Sequence, residues 1–121
     1  MENLLHVIDE VGNPNVKIYF DTQNYYLHEK ADVAAMIEPL ISHICEVHVK
    51  DGHESDIEPS GALLGEGDSR FFDTIAELRK CGYSGWLISE NFYDRGPVSR
   101  LSDDPIELML KDYQVMKSIV W

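Results

Sequence analysis

Three short apolar runs, VKIYF at 16–20, CEVHV at 45–49 and WLI at 86–88, alternate with stretches of helical periodicity. This alternation constrains the fold more than any other feature of the chain. The runs have strand length and are rich in β-branched and aromatic residues. Around them, apolar residues recur at three-to-four spacing, the period of an amphipathic helix. The first such stretch covers about 3–11, with Leu4, Leu5, Ile8 and Val11 on one face, and Gly12-Asn13-Pro14 stops it. The second covers about 32–44, carrying Val33, Met36, Ile37, Leu40, Ile41 and Ile44. Pro39 inside it predicts a kink or a later start. The third covers about 70–81, with Phe71, Phe72, Ile75 and Leu78 inward, Arg79 and Lys80 in the last turn, and Gly82 as the cap. The fourth covers about 105–119, with Asp104 as N-cap, Pro105 in the first position and Glu107 at capping-box spacing. The order α-β-α-β-α-β-α predicts right-handed βαβ units around a parallel sheet.

Each apolar run ends in polar residues. The first is followed by Asp21-Thr22-Gln23-Asn24, the second ends in His48-Val49-Lys50-Asp51, and the third leads into Ser89-Glu90-Asn91. In parallel α/β folds the C-terminal strand ends converge on the functional site. One carboxylate, one imidazole and a second carboxylate, each from a different strand, would point into the same space. Such mixed oxygen and nitrogen donors suit a divalent ion: Mn²⁺, Mg²⁺, Co²⁺ or Zn²⁺. Taken singly, Asp21 reads more readily as an Asx turn or helix cap, and His48 as a satisfied core histidine. Glu90 is harder to set aside, because a carboxylate ending an apolar strand is costly to bury without a partner. Lys50 reads equally as a partner for a developing oxyanion and as a salt bridge to Asp51 or Glu90. The 51–67 segment is long for a βα connection and reads as a lid or as disorder. Gly65-Glu66-Gly67 reads as a turn rather than a phosphate cradle, because Glu66 would repel the anion. Tyr25 and Tyr26 are expected to pack under the following helix.

Charge removes several classes of function. Ten Lys and Arg stand against 22 Asp and Glu, a net charge of −12, which opposes binding to nucleic acid or anionic lipid. There are two cysteines, Cys45 and Cys81, far apart and without a CxxC spacing. The opening MENLLHVIDEVG is too acidic for a signal peptide, and no apolar run is long enough to span a bilayer. A reduced, cytoplasmic location is therefore expected.

The succession Asp21-Thr22-x-Asn24, His48-Val49-Lys50-Asp51, Leu64-Gly65-Glu66-Gly67-Asp68, Gly82-Tyr83-x-Gly85-Trp86 and Glu90-Asn91 resembles the C-terminal part of the sugar-phosphate isomerase/epimerase superfamily. These are xylose isomerase-like TIM barrels, a group that also holds ketose 3-epimerases, inosose dehydratase and type IV AP endonucleases. The resemblance covers about residues 1–92. It implies that Asp21, His48 and Glu90 are metal ligands at the ends of strands six, seven and eight. It also implies that Glu90 exchanges a proton with substrate. A further family glutamate ends strand five, and Glu2 is at most its remnant. The related epimerases often carry a histidine where this chain has Asn24, and an arginine where it has Glu54. Both departures bear on substrate chemistry and leave the metal set intact. His-Val-Lys-Asp with Gly-Glu-Gly-Asp is closer to the inosose dehydratase and general isomerase branch. The endonucleases' Asp-x-His lies nearer the glycine-rich turn than Asp51-Gly52-His53 does here. The expected chemistry is proton transfer next to a carbonyl through an enediolate, on a small sugar or sugar phosphate. Glu90 is then the base and Lys50 the oxyanion partner, with Asn24 and Arg95 on the substrate.

A TIM barrel takes about 250 residues and eight strands, and this chain has 121 residues and three predicted strands. The expected fold class is therefore a partial TIM barrel: one domain, 1–121, of about three C-terminal βα units. It would be completed by self-association or by a partner supplying the missing N-terminal half. A dimer or higher oligomer is expected. The competing expectation is a non-catalytic barrel fragment that self-assembles or binds a partner. A dehydratase-type lyase comes third.

Overall fold

The computed structural model describes residues 2–54, 60–94 and 96–119. Helix α1 (Glu2–Val11) leads into strand β1 (Ile18–Asp21), and a short helix α2 (Asn24–Glu29) follows. Helix α3 (Ile37–Leu40) is flanked by 3₁₀ turns at Ala34–Met36 and Ile41–His43. Strand β2 (Ile44–Val49) comes next, then β3 (Asp51–His53), β4 (Ser60–Ala62) and helix α4 (Phe71–Lys80). Strand β5 (Trp86–Ser89), a 3₁₀ turn at Gly96–Arg100 and helix α5 (Pro105–Ile119) complete the described chain. Strands β1, β2 and β5 form one sheet in that order, with both pairs parallel.

The parallel sheet and flanking helices follow the sequence pattern, and the differences have local causes. The helix expected over 32–44 is broken into three short turns. Pro39 has no N–H to give, and its ring crowds the preceding turn. The first strand starts at Ile18 rather than Val16, because Val16 closes a turn by donating its N–H to the Asn13 carbonyl at 2.9 Å. Val11 stands exposed, while Leu4, Leu5 and Ile8 pack on the core. The long 51–67 segment contains an antiparallel pair, β3 with β4. Pro59, in the same segment, lies outside the described residues.

The caps show why two helices stop and start where they do. Gly82 has φ +74, the left-handed region, and a Cβ there would meet nothing within 4 Å, so only the backbone requirement selects glycine there. Its N–H donates to the Arg79 carbonyl at 3.0 Å and that of Tyr83 to the Leu78 carbonyl at 3.0 Å, which is a Schellman closure of α4. At α5, the Ile106 N–H donates to Asp104 Oδ1 at 2.9 Å. Glu107 accepts the Ser102 hydroxyl at 2.8 Å instead of closing a box onto the Asp104 N–H.

Alternation divides each strand between two faces. Ile18, Phe20, Val47 and Val49 point to the helix side, where Ile37, Leu40, Phe71, Ile75 and Leu78 bury them in one core. The opposite face carries Tyr19, Asp21, His48, Trp86 and Glu90. No described layer covers it: Tyr19 is 46% and Trp86 76% exposed.

Tyr83 locks the helix side to the strand ends. Its buried hydroxyl donates to the Trp86 carbonyl at 3.0 Å and approaches that of Cys45 at 3.4 Å. Burial pushes the phenol up to about 12 from its ordinary 10, with Cys45 and Glu46 adding to the rise. The folded protein therefore keeps a proton that the unfolded chain releases near pH 10. This stability contribution is full below about pH 10 and is lost as pH rises towards 12. Urea melts from pH 9 to 12 will show a decline that Tyr83→Phe flattens. An equally steep decline in the variant would remove Tyr83 as its source.

Candidate metal centre

Asp21 closes β1, His48 lies opposite it on β2, and Glu90 follows the last residue of β5. The ladder continues one step further, with the Glu90 N–H donating to the Val49 carbonyl at 3.2 Å. This parallel register brings one ligand atom from each of Asp21, His48 and Glu90 within 4.8 Å of the others.

Asp21 does two jobs at once. Its Oδ1 accepts the N–H groups of Gln23 at 2.9 Å and Asn24 at 2.7 Å, which is the turn expected of an Asp at a strand end. Its Oδ2 accepts the Asn24 amide at 3.1 Å and faces the Lys50 ammonium at 3.0 Å. The turn aims the second oxygen into the site. His48 Nδ1 lies 2.9 Å from Glu90 Oε2 and also meets the Tyr19 hydroxyl.

Lys50 extends from the end of β2 between the two carboxylates, 2.8 Å from Glu90 Oε2, with its side chain only 3% exposed. Burial alone would lower its pKa, but the hydrogen bonds and charges of Glu90 and Asp21 outweigh that and hold the ammonium above its ordinary range. The Lys50 hydrogen bond holds Glu90 below the usual carboxylate range, against the opposing effect of its partial burial. His48 adds to the same downward pull. Of the two salt-bridge partners expected for Lys50, Glu90 is present, and Asp21 stands where Asp51 was expected. The polar residues Asp21, Asn24, His48, Lys50 and Glu90 line a cavity of about 330 Å³, walled by Tyr19 and Tyr25. Arg95 lies outside the described residues, and Glu2 opens α1 without joining the cluster.

Two buried carboxylates shape the ends of these strands: Asp51, expected only as a salt-bridge partner of Lys50, and Asp112, which no sequence motif contains. Asp51 accepts the N–H groups of Gly52 (2.9 Å), Gly65 (2.9 Å) and Gly67 (3.0 Å), together with the Ser69 hydroxyl at 2.7 Å. The N–H groups of Gly65 and Gly67 thus hold an internal carboxylate, which agrees with a turn rather than a phosphate cradle. A side chain at Gly67 would strike Asp51 Oδ1 at 2.2 Å, so glycine is needed for the close approach. Asp112 is 1% exposed on α5. Its signal was available: it stands four residues after Leu108 on the helix's inward stripe.

The donor set, two carboxylates and an imidazole, is one that a divalent ion accepts. A profile described as xylose isomerase-like TIM barrel matches residues 1–119. No curated protein sequence matches the chain. Among solved structures, the xylose isomerase domain protein from Planctomyces limnophilus superposes with a TM-score of 0.76 at 19% identity, over 98% of this chain and 40% of that one. The IolI protein with a bound zinc atom superposes with a TM-score of 0.72 at 16% identity, over 99% of this chain and 43% of that one. The chain therefore spans less than half the length of these structures, and the likeness is one of fold. Among the described residues, no helix is long and apolar enough to cross a membrane.

Proposed function

The chain belongs to the xylose isomerase-like TIM barrel family, and on that premise we propose that Asp21, His48 and Glu90 form the divalent-metal site of a sugar or sugar-phosphate isomerase or epimerase. The carrying observation is that three donors from three adjacent parallel strands meet within 4.8 Å at the strands' C-terminal ends. The site is also built for positive charge, since Lys50 already bridges its two carboxylates. Mn²⁺, Mg²⁺, Co²⁺ and Zn²⁺ all accept such donors, and zinc is bound in the similar IolI structure.

A divalent ion held there supplies Lewis-acid stabilisation of negative charge on a substrate oxygen beside the reacting carbon. The remaining work falls to this chain's residues. Glu90, half-exposed and ionised, reaches the cavity as the base that takes a proton from the carbon next to a carbonyl and returns it. Lys50 donates to the oxygen on which charge develops. The Asn24 amide orients a substrate hydroxyl, and Arg95 is assigned to a phosphate if the substrate carries one. The three βα units are the C-terminal segment of a barrel. Its remaining walls come from strands outside these 121 residues, supplied by a second copy or by another polypeptide segment. The exposure of Tyr19 and Trp86 on the site's own face favours a second reading, a barrel segment that is non-catalytic until that face is covered.

The test is deuterium wash-in. A ketose incubated with the protein and Mn²⁺ in D₂O will gain deuterium at the carbon beside the carbonyl, followed by NMR. Glu90→Gln will slow it by roughly 10²–10⁴-fold. Dehydration products would mark the lyase branch instead. A chain that takes up Mn²⁺ yet exchanges no deuterium supports the second reading.

A further inference from the structure

Glu90 makes the proposed site work only if the chain leaving β5 holds a fixed direction, and Lys50 and His48 hold its half-exposed side chain only at the carboxylate tip. The anchor lies one residue on. The Asn91 side chain is held from three sides. Its amide nitrogen donates to Asp112 Oδ2 at 2.7 Å and to the Ala62 carbonyl at 2.5 Å. Its oxygen accepts the Phe92 N–H at 3.1 Å and faces the Asp51 N–H at 3.5 Å. Asp112 also takes the Tyr93 hydroxyl at 2.8 Å on the same oxygen, and the Leu64 N–H at 2.8 Å on the other.

A carboxylate that is 1% exposed carries a large desolvation cost. Among the described residues three donors and no cation meet it, and two of the three come from residues 91 and 93, in the segment that follows Glu90. An apolar residue would serve the packing of α5 equally well. The carboxylate is needed to accept from that segment on one oxygen and from the Leu64 N–H on the other.

We infer that Asp112 is a positioning residue that fixes Glu90 in the proposed metal site by anchoring Asn91. The inference rests on the metal-site reading. Outer partners of metal ligands typically contribute 10- to 100-fold in affinity.

The test uses Asp112→Asn. The amide keeps an acceptor for the Leu64 N–H but turns a donor onto the Asn91 amide, so the Asp112–Asn91 bond is lost while the shape stays. Two measurements separate the inference from the function. Amide hydrogen exchange of the metal-free protein by NMR will show faster exchange at Glu90 and Phe92, by about tenfold or more, with α4 unchanged. Mn²⁺ titration will show affinity reduced by about 10- to 100-fold. Gly82→Ala, strained at φ +74 and remote from the site, is the control for simple destabilisation and will keep both readouts. Tyr93→Phe, which leaves Asn91 anchored, will change affinity by less than about threefold. Unchanged exchange at Glu90 and Phe92, or unchanged Mn²⁺ affinity in a wild type that binds it, overturns the role of Asp112. A wild type that takes up no Mn²⁺ instead overturns the metal-site reading, and the exchange result still decides whether Asp112 positions Glu90.

Discussion

Asp51→Ala will cost more than about 3 kcal/mol in urea denaturation, a large share of the roughly 5–15 kcal/mol that holds a domain of this size. The Asp51 carboxylate is fully buried and accepts from Gly52, Gly65, Gly67 and Ser69. Alanine leaves those N–H groups without a partner where water does not reach, and each orphaned donor costs about 1–3 kcal/mol. Asp51→Asn will cost less, because one oxygen remains to accept. Since Lys50 precedes Asp51, the alanine variant will also loosen the site. A loss below about 1 kcal/mol would mean that the 63–69 turn holds itself without this carboxylate.

Lys50→Met will be strongly destabilised in EDTA and rescued by a divalent ion. The ammonium is the positive charge between Asp21 Oδ2 at 3.0 Å and Glu90 Oε2 at 2.8 Å. Methionine keeps the stem's packing and leaves the two carboxylates facing each other uncompensated. Removing one partner of a buried ionic group costs about 3–5 kcal/mol. The Glu90 end is half-exposed and solvent-screened, so the lower part of that range applies. An ion at the proposed site replaces the lost charge. At an ion concentration of about 100 times its Kd, binding returns about 2.7 kcal/mol. Thermal melts with EDTA and with Mn²⁺ will therefore show a larger metal-induced rise in Tm for Lys50→Met than for the wild type. A variant as stable as the wild type in EDTA would show that Lys50 does not neutralise the pair. A variant destabilised in EDTA but indifferent to Mn²⁺ would count against the ion site.

The helices with clear caps were readable in the chain, and α5 begins and ends at the residues its pattern named. Segments whose form depends on distant partners were not. The short helix α2 carries no long apolar period. It starts because Asp21, fixed by the β1–β2 register, takes the N–H groups of Gln23 and Asn24. The β3–β4 pair has short strands and small residues, and it is held by a carboxylate inside one strand bonding to a turn some fifteen residues later. Asp112 looked like one more acid on a helix of a chain with net charge −12. Only the fold shows that three donors among the described residues surround it.

By itself, the sequence determined the parallel α/β class, the order of the sheet's three strands and of the longer helical stretches between them, and the three polar strand ends, because periodicity and caps are local properties of the chain. It also identified Asp21, His48 and Glu90 as candidates, because a parallel sheet brings its C-terminal ends together. Only the tertiary structure decided that Lys50 lies between Asp21 and Glu90. It alone showed that Asp51 and Asp112 are buried hubs beside the site, and that the face carrying the site stands uncovered. Those facts depend on which distant groups meet once the chain is folded, and no spacing along the sequence encodes the distance between them.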